Sequence, residues 1–242
     1  IKMAPVIKAC QNDKELKTTV CITAQHREML DQVLDFFSIT PDIDLDLMQA
    51  NQSLNELSAI IINAIDKVLE KEQPDWVLVH GDTTTSSIVA LAAFHRGIKV
   101  GHVEAGLRTY NKYSPFPEDI NRQLTGRIAN AHFAPTQKAA EALLKEGIEN
   151  SEVIITGNTV VDALQWGSIL TKKQPPKELN DVFRKVDISK KIILVTGHRR
   201  ENFGKGFINL CDALAKIAER NDVTIIYPVH LNPNVKGLVY DR

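Results

Sequence analysis

Carboxylate and imidazole side chains recur in one kind of place along this sequence, just beyond short apolar runs. Asp82 follows WVLVH and Gly81, His102 and Glu104 close IKVGHVE, His198 follows IILVT and Gly197, and His230 follows IIYPV. Glu118 lies in the loop beyond Glu104, where a helix is expected to start. These side-chain types move protons near neutral pH and stabilise developing charge. Parallel sheets bind ligands in crevices at the carboxyl ends of their strands. The same placement after four separate strands therefore points to a lined cleft.

Each position also has a plainer reading. Asp82 precedes a Thr-rich turn and would serve as a helix cap. Glu118, in Pro115-Phe116-Pro117-Glu118, has first-turn geometry in which carboxylates are common. Glu104 stands between an apolar strand and Ala105-Gly106, a poor place for a merely solvated charge. His198-Arg199-Arg200-Glu201 lies beside Gly197, Gly204 and Gly206, which fits an anion site as well as Arg–Glu pairing. His26, in Gln25-His26-Arg27, also follows a strand-like run and stands alone there. His80, His95 and His132 are given no role.

Several chemistries drop out. Lys and Arg total 29 against 30 Asp and Glu, so there is no basic excess for nucleic acid or an anionic membrane. The sequence holds no GxxxxGK[ST], no GxGxxG after a strand, no PCxxC and no GxSxG. Cys10, Cys21 and Cys211 are too far apart for a zinc pattern or a disulfide framework, and read as buried thiols in a reducing compartment. No apolar run approaches the ~20 residues that span a bilayer, and no signal-peptide pattern is seen. No metal and no cofactor is expected.

Elements that position these groups follow from the pattern. Thr18–Thr23 reads as a strand and Arg27–Phe37 as an amphipathic helix; Ser53 with Glu56 forms a capping box opening a helix to Glu72. Trp76–His80 reads as a strand covered on both faces. Further strands are expected at Ile98–Val103, Ala131–Ala134 and Val153–Ile155, with helices from the Thr83–Ser87 turn to His95 and over Thr136–Lys145. Thr171–Lys191, with its KKQPPKE, reads as a linker holding one helical turn. The alternation then restarts with Ile192–Thr196, a helix over Phe207–Arg220 and a strand at Val223–Tyr227. Strand–helix alternation on both sides of a linker implies two α/β units with parallel sheets. The expected division is residues 1–171, a linker over 172–190, and the start of a second unit over 191–242. Ile1–Pro5 reads as a helix already under way, and the chain as a piece of a longer protein.

Seven segments carry a family resemblance: Gln25-His26-Arg27-Glu28-Met29-Leu30-Asp31, His80-Gly81-Asp82-Thr83-Thr84-Thr85, Gly101 through Thr109 (GHVEAGLRT), Pro115-Phe116-Pro117-Glu118, Thr156-Gly157-Asn158-Thr159, Thr196 through Glu201 (TGHRRE) and Tyr227 through Pro233 (YPVHLNP). In order and content they resemble the non-hydrolysing bacterial UDP-N-acetylglucosamine (UDP-GlcNAc) 2-epimerases. The resemblance implies two Rossmann-like domains facing each other, as in GT-B glycosyltransferases. It also implies that a first strand with an Arg-bearing glycine turn, and much of the second domain, lie outside this chain.

What the resemblance implies chemically is an elimination. Carbon 2 carries an acetamido group beside an acetal, so its C–H is not acidic. UDP leaves carbon 1 while a base takes the carbon 2 proton, giving 2-acetamidoglucal; UDP then adds back with protonation on the other face, giving UDP-N-acetylmannosamine (UDP-ManNAc). Asp82, Glu104 and Glu118 resemble the catalytic carboxylates, without assignment of acid and base, and His198 the essential imidazole from the second domain. Lys2, Arg199 and His230 resemble nucleotide-site residues. Gln25, with His26 beside it, resembles part of a second, activating UDP-GlcNAc site, although Glu28 stands where some activated members carry Gln. The resemblance further implies a cytoplasmic homodimer that supplies cell-envelope or capsular polysaccharide. The competing readings are a retaining GT-B glycosyltransferase, a hydrolysing 2-epimerase releasing free ManNAc, and a non-catalytic nucleotide-sugar sensor.

Overall fold

A computed structural model describes residues 1–23, 27–48, 52–196, 205–229 and 239. The chain divides into two compact units, Ile1–Ile169 and Leu170–Arg242.

The first unit runs α1 (Ala4–Asn12), β1 (Cys21–Ile22), α2 (Arg27–Phe36), β2 (Ile43–Asp44), α3 (Leu54–Glu72), β3 (Trp76–His80), α4 (Thr84–His95), β4 (Lys99–Val103), α5 (Glu118–Ile128), β5 (Ala131–Ala134), α6 (Gln137–Lys145), β6 (Val153–Ile155) and α7 (Thr159–Lys173), whose last turn lies beyond Ile169. Strands β3-β4-β5-β6 form one parallel sheet in chain order, and β1 pairs β2 in a second. Parallel neighbours need a crossover, and α4, α5 and α6 supply the three. All carboxyl ends of the larger sheet therefore share one side.

Helix α3 shows why the core forms here. The Ser53 side chain accepts from the Glu56 amide at 3.2 Å and the Glu56 carboxylate accepts from the Ser53 amide at 2.8 Å, a complete capping box. Leu57, Ile61, Ile65 and Leu69 recur every fourth residue and are all buried. They pack with Val79, Val89, Ala90, Ala93 and Val100. Ile61 is fully enclosed, so truncation to Ala would cost about 2–5 kcal/mol. Gln73, in a left-handed conformation, ends the helix ahead of Pro74. Helix α4 is buried through Thr84, Ser86, Ser87, Val89, Ala90, Ala92 and Ala93. Its small residues let it lie close to the sheet, and its hydroxyls bond backbone: Ser86 Oγ donates to the His80 carbonyl at 2.5 Å.

Several elements differ from what the sequence pattern predicts. Strand β3 is not covered on both faces: Trp76 is 44% and Leu78 37% exposed, while Val77 and Val79, on the other face, pack with the core residues of α3 and α4. Over Thr18–Thr23 only Cys21–Ile22 pairs, with a short partner at Ile43–Asp44 that carries no strand signal of its own. Helix α1 begins at Ala4, with Pro5 in its first turn. The expected linker over 172–190 is largely helical: α7 continues to Lys173, and α8 occupies Lys177–Lys185. Pro176 is the N-cap of α8, where a residue outside the helical hydrogen bonds is tolerated, and Leu179, Val182 and Phe183 give it an apolar stripe.

The second unit adds β7 (Lys191–Leu194), α9 (Lys205–Ala218) and β8 (Val223–Ile226), with β7 and β8 parallel. Phe207 and Cys211 of α9 are buried against Leu210, Tyr227, Val229 and Val239. Among the described residues no helix is long and apolar enough to cross a membrane.

Candidate functional site

At the carboxyl end of β3 the chain turns through Gly81, whose φ of +66° suits a residue without Cβ. Thr83, not Asp82, caps α4: its hydroxyl accepts from the Ser86 amide at 3.1 Å. The Asp82 carboxylate is thereby left for another partner. Arg122 of α5 donates Nη2 to Asp82 Oδ2 and Nη1 to the Leu107 carbonyl at 3.3 Å. The adjoining Asn121 donates Nδ2 to the Asp82 carbonyl at 3.0 Å and lies 3.2 Å from the Ser87 hydroxyl. Helix α5 thus clamps the β3–α4 turn.

At the end of β4, Glu104 adopts a left-handed φ of 62°, an uncommon backbone for a glutamate. The chain from Gly106 to Asp119 holds it there. Gly106 has φ +84°, and a Cβ would lie 2.2 Å from the Ala139 carbonyl oxygen, so α6 docks against a residue that must be glycine. Arg108, 1% exposed, grips Glu146 at the end of α6 with two bonds of 2.8 Å. Asp119 accepts from the Thr109 amide at 2.9 Å and hydroxyl at 3.0 Å, closing the loop that leads to Glu118, the first residue of α5.

Glu104 is rich in partners. Its Oε2 accepts from Lys2 Nζ at 2.6 Å and from Asn158 Nδ2 at 3.0 Å, and Oε1 lies 3.8 Å from His80 Nε2. Asn158 follows β6, so Asp82, Glu104 and Asn158 all lie just beyond strand ends of one sheet. Burial pushes the Glu104 carboxyl up, but Lys2, His80 and Asn158 together bring it below the usual value. Asp82 moves the other way: burial raises it, Arg122 opposes, and the negative charges of Glu118 and Glu104 raise it further. His80 is lowered by burial, against the pull of Glu104, which favours a neutral ring. Glu118 Oε2, His80 Nε2 and Arg122 Nε are buried with no hydrogen-bond partner among the described residues. The arrangement holds one carboxylate ionised beside a cation, a second that binds a proton more tightly than an ordinary aspartate, and a third with an unanswered oxygen. Such a set suits proton removal and delivery at a carbon, with Lys2 nearby for negative charge.

Of the residues singled out in the sequence, the structure brings Lys2, Asp82, Glu104 and Glu118 together. His198, Arg199, His230, Gln25 and His26 lie outside the described residues, as does the Glu28 side chain. His102 is fully buried within β4; its Nε2–H donates to the Gly81 carbonyl at 2.7 Å, and burial brings it down to about 4, so it stays neutral and braces the turn. No three His, Cys, Asp or Glu side chains among the described residues are grouped to hold a metal ion. Sequence reasoning misses Arg122, Asn121, Asn158 and His80. The one signal for Arg122 is its place four residues after Glu118, on the same helical face; Asn158 lies in the TGNT segment of the family resemblance, with no role attached to it.

A parallel α/β sheet with carboxylates and a lysine gathered at its strand ends defines a Rossmann-like protein. A family model described as UDP-N-acetylglucosamine 2-epimerase matches residues 8–242, and the chain belongs to that family. It is 53% identical to the UDP-N-acetylglucosamine 2-epimerase of Salmonella typhimurium over 97% of this chain and 63% of that one. The UDP-GlcNAc 2-epimerase of Neisseria meningitidis, solved bound to UDP-GlcNAc, superposes with a TM-score of 0.92 at 48% identity, covering 99% of this chain and 65% of that one. The enzyme of Methanocaldococcus jannaschii, solved in complex with UDP-GlcNAc and UDP, gives a TM-score of 0.81 at 32% identity, again over 99% of this chain and 65% of that one. The fold is that of these epimerases, of GT-B type, and the chain spans under two thirds of their length.

Proposed function

We propose that the complete protein interconverts UDP-GlcNAc and UDP-ManNAc as a non-hydrolysing 2-epimerase, an isomerase. The carrying observation is the convergence of Asp82, Glu104 and Glu118 at the carboxyl ends of one sheet, in a chain of this family. One carboxylate removes the carbon 2 proton as the bond from carbon 1 to UDP breaks, and another returns a proton to the opposite face. Lys2 stabilises the negative charge on its side of the site. His198, Arg199 and His230 take the diphosphate and nucleotide, a role that rests on the family resemblance. The net change involves no oxidation.

The test is incubation of the complete protein with UDP-GlcNAc alone in heavy water. The expected result is UDP-ManNAc carrying deuterium at carbon 2. Sugar transfer only on addition of an acceptor would make it a glycosyltransferase, free ManNAc with UDP a hydrolysing enzyme, and binding without turnover a sensor. Homodimer formation and a cytoplasmic location belong to the same proposal, the first checked by light scattering of the purified protein and the second by cell fractionation. Activation through Gln25 and His26 predicts sigmoidal kinetics; hyperbolic kinetics, with no effect of UDP-GlcNAc on the reverse reaction, would remove it.

A further inference from the structure

Two carboxylates of the site differ in one contact. Glu118 and Arg122 lie four residues apart on α5, the spacing at which helix side chains ordinarily pair. Yet the guanidinium reaches across to Asp82, and among the described residues no cation pairs with Glu118. Arg122 is held in that direction from two sides. Its Nη1 meets the Leu107 carbonyl at 3.3 Å, and the preceding Asn121 holds the Asp82 backbone at 3.0 Å. Its side chain is 12% exposed, so the charge is poorly screened. A guanidinium is planar and permanently charged, and it fixes a carboxylate's orientation as well as its ionisation. Only Asp82 Oδ2 is engaged by it.

We propose that Arg122 is a positioning residue of the reaction: it keeps Asp82 oriented and ionised as the group that accepts the carbon 2 proton. The inference rests on the epimerase reading above. In the step, Asp82 Oδ1 takes the proton, the C–H electron pair becomes the double bond between carbons 1 and 2, and the C1–O bond breaks with its pair leaving on UDP. The groups that face Asp82 are His80 from β3, Glu104 from the end of β4, and Glu118 and Arg122 from α5. Of these, Glu118 and Glu104 resist its ionisation together with burial, and Arg122 is the largest influence favouring it.

The experiment uses Arg122→Gln and Arg122→Lys in the complete protein, with kcat and kcat/KM for UDP-GlcNAc measured across pH. A neighbouring opposite charge is worth about 1–3 pH units to a carboxylate. The acidic limb of the Arg122→Gln profile should therefore move upward by about one unit or more. At neutral pH kcat should fall about 10- to 100-fold, with KM changing far less. Arg122→Lys keeps the charge, so its limb should stay at the wild-type position while kcat is intermediate. The double variant Asp82→Asn/Arg122→Gln should be no slower than Asp82→Asn alone, because the arginine acts through that carboxylate. An unmoved limb in Arg122→Gln, or losses that multiply in the double variant, would overturn the assignment. Should Arg122→Gln fail to fold by circular dichroism, a displaced limb in Arg122→Lys overturns it instead. Wild-type product formation separates the two failures: without it the epimerase reading falls, and with it only the role of Arg122 is at stake.

Discussion

Asp82 and Glu104 stand at the ends of adjacent strands of one sheet, and their surroundings displace them in opposite directions. The Glu104 side chain is 6% exposed and titrates low; that of Asp82 is 27% exposed and titrates high. The less exposed carboxylate is the one lowered from its ordinary value, so side-chain exposure does not set the direction of the shift. Partners do. Glu104 receives Lys2 and Asn158 and lies near His80, whereas Asp82 receives Arg122 and faces two like charges. Two carboxylates just beyond neighbouring strands are thereby displaced in opposite directions from their ordinary values.

The comparison breaks most visibly at Asp82. Asp82→Asn keeps the shape and removes the proton acceptor, so turnover should fall about 10²–10⁴-fold, or roughly 3–5 kcal/mol of barrier. Binding of UDP-GlcNAc by calorimetry should change far less. Near-wild-type turnover would mean that the high-titrating carboxylate is a bystander.

The other side is probed through Lys2→Met. Glu104 is lowered in the folded state, so its charged form adds stability above the usual value of 4.5, and that stability is lost as pH falls through its folded value. Lys2 is 35% exposed, which limits its share to about 1 kcal/mol. Urea unfolding should show the gap between wild type and variant in full at neutral pH and shrinking below 4.5. A gap unchanged by pH would remove the ion pair as its cause.

Thr83→Ala sharpens the contrast at the smallest scale. The cap of α4 belongs to Thr83, so the variant should lose about 1 kcal/mol by thermal unfolding. A silent substitution would return the capping role to Asp82 and weaken its assignment to chemistry.

Much of this frame is legible in the amino-acid order. The Ser53–Glu56 box, the Leu57/Ile61/Ile65/Leu69 spacing and the WVLVH run place α3 and β3 to within a residue. Less legible is what depends on distant neighbours. The exposed face of β3 follows from α3 and α4 packing on the Val77 and Val79 side, which the continuous apolar run WVLVH does not encode. Pro175 and Pro176 look like breakers, yet proline is as much at home before a helix as after one, and α8 starts there. At the site the carboxylates announce themselves by following strands. Arg122 resembles an ordinary helix-surface charge until α5 is seen to lie over the β3–α4 turn, and Asn158 meets Glu104 only through strand pairing across the sheet.

The left-handed backbone at Glu104 sets robustness against output. Asn and Gly adopt that conformation more readily than Glu, by about 1–2 kcal/mol for Gly. A library screened for heat resistance alone would have reason to drift at this position toward residues that relax the chain, shedding the carboxylate as it went. Laboratory evolution of this protein therefore needs a selection that reads turnover at every round.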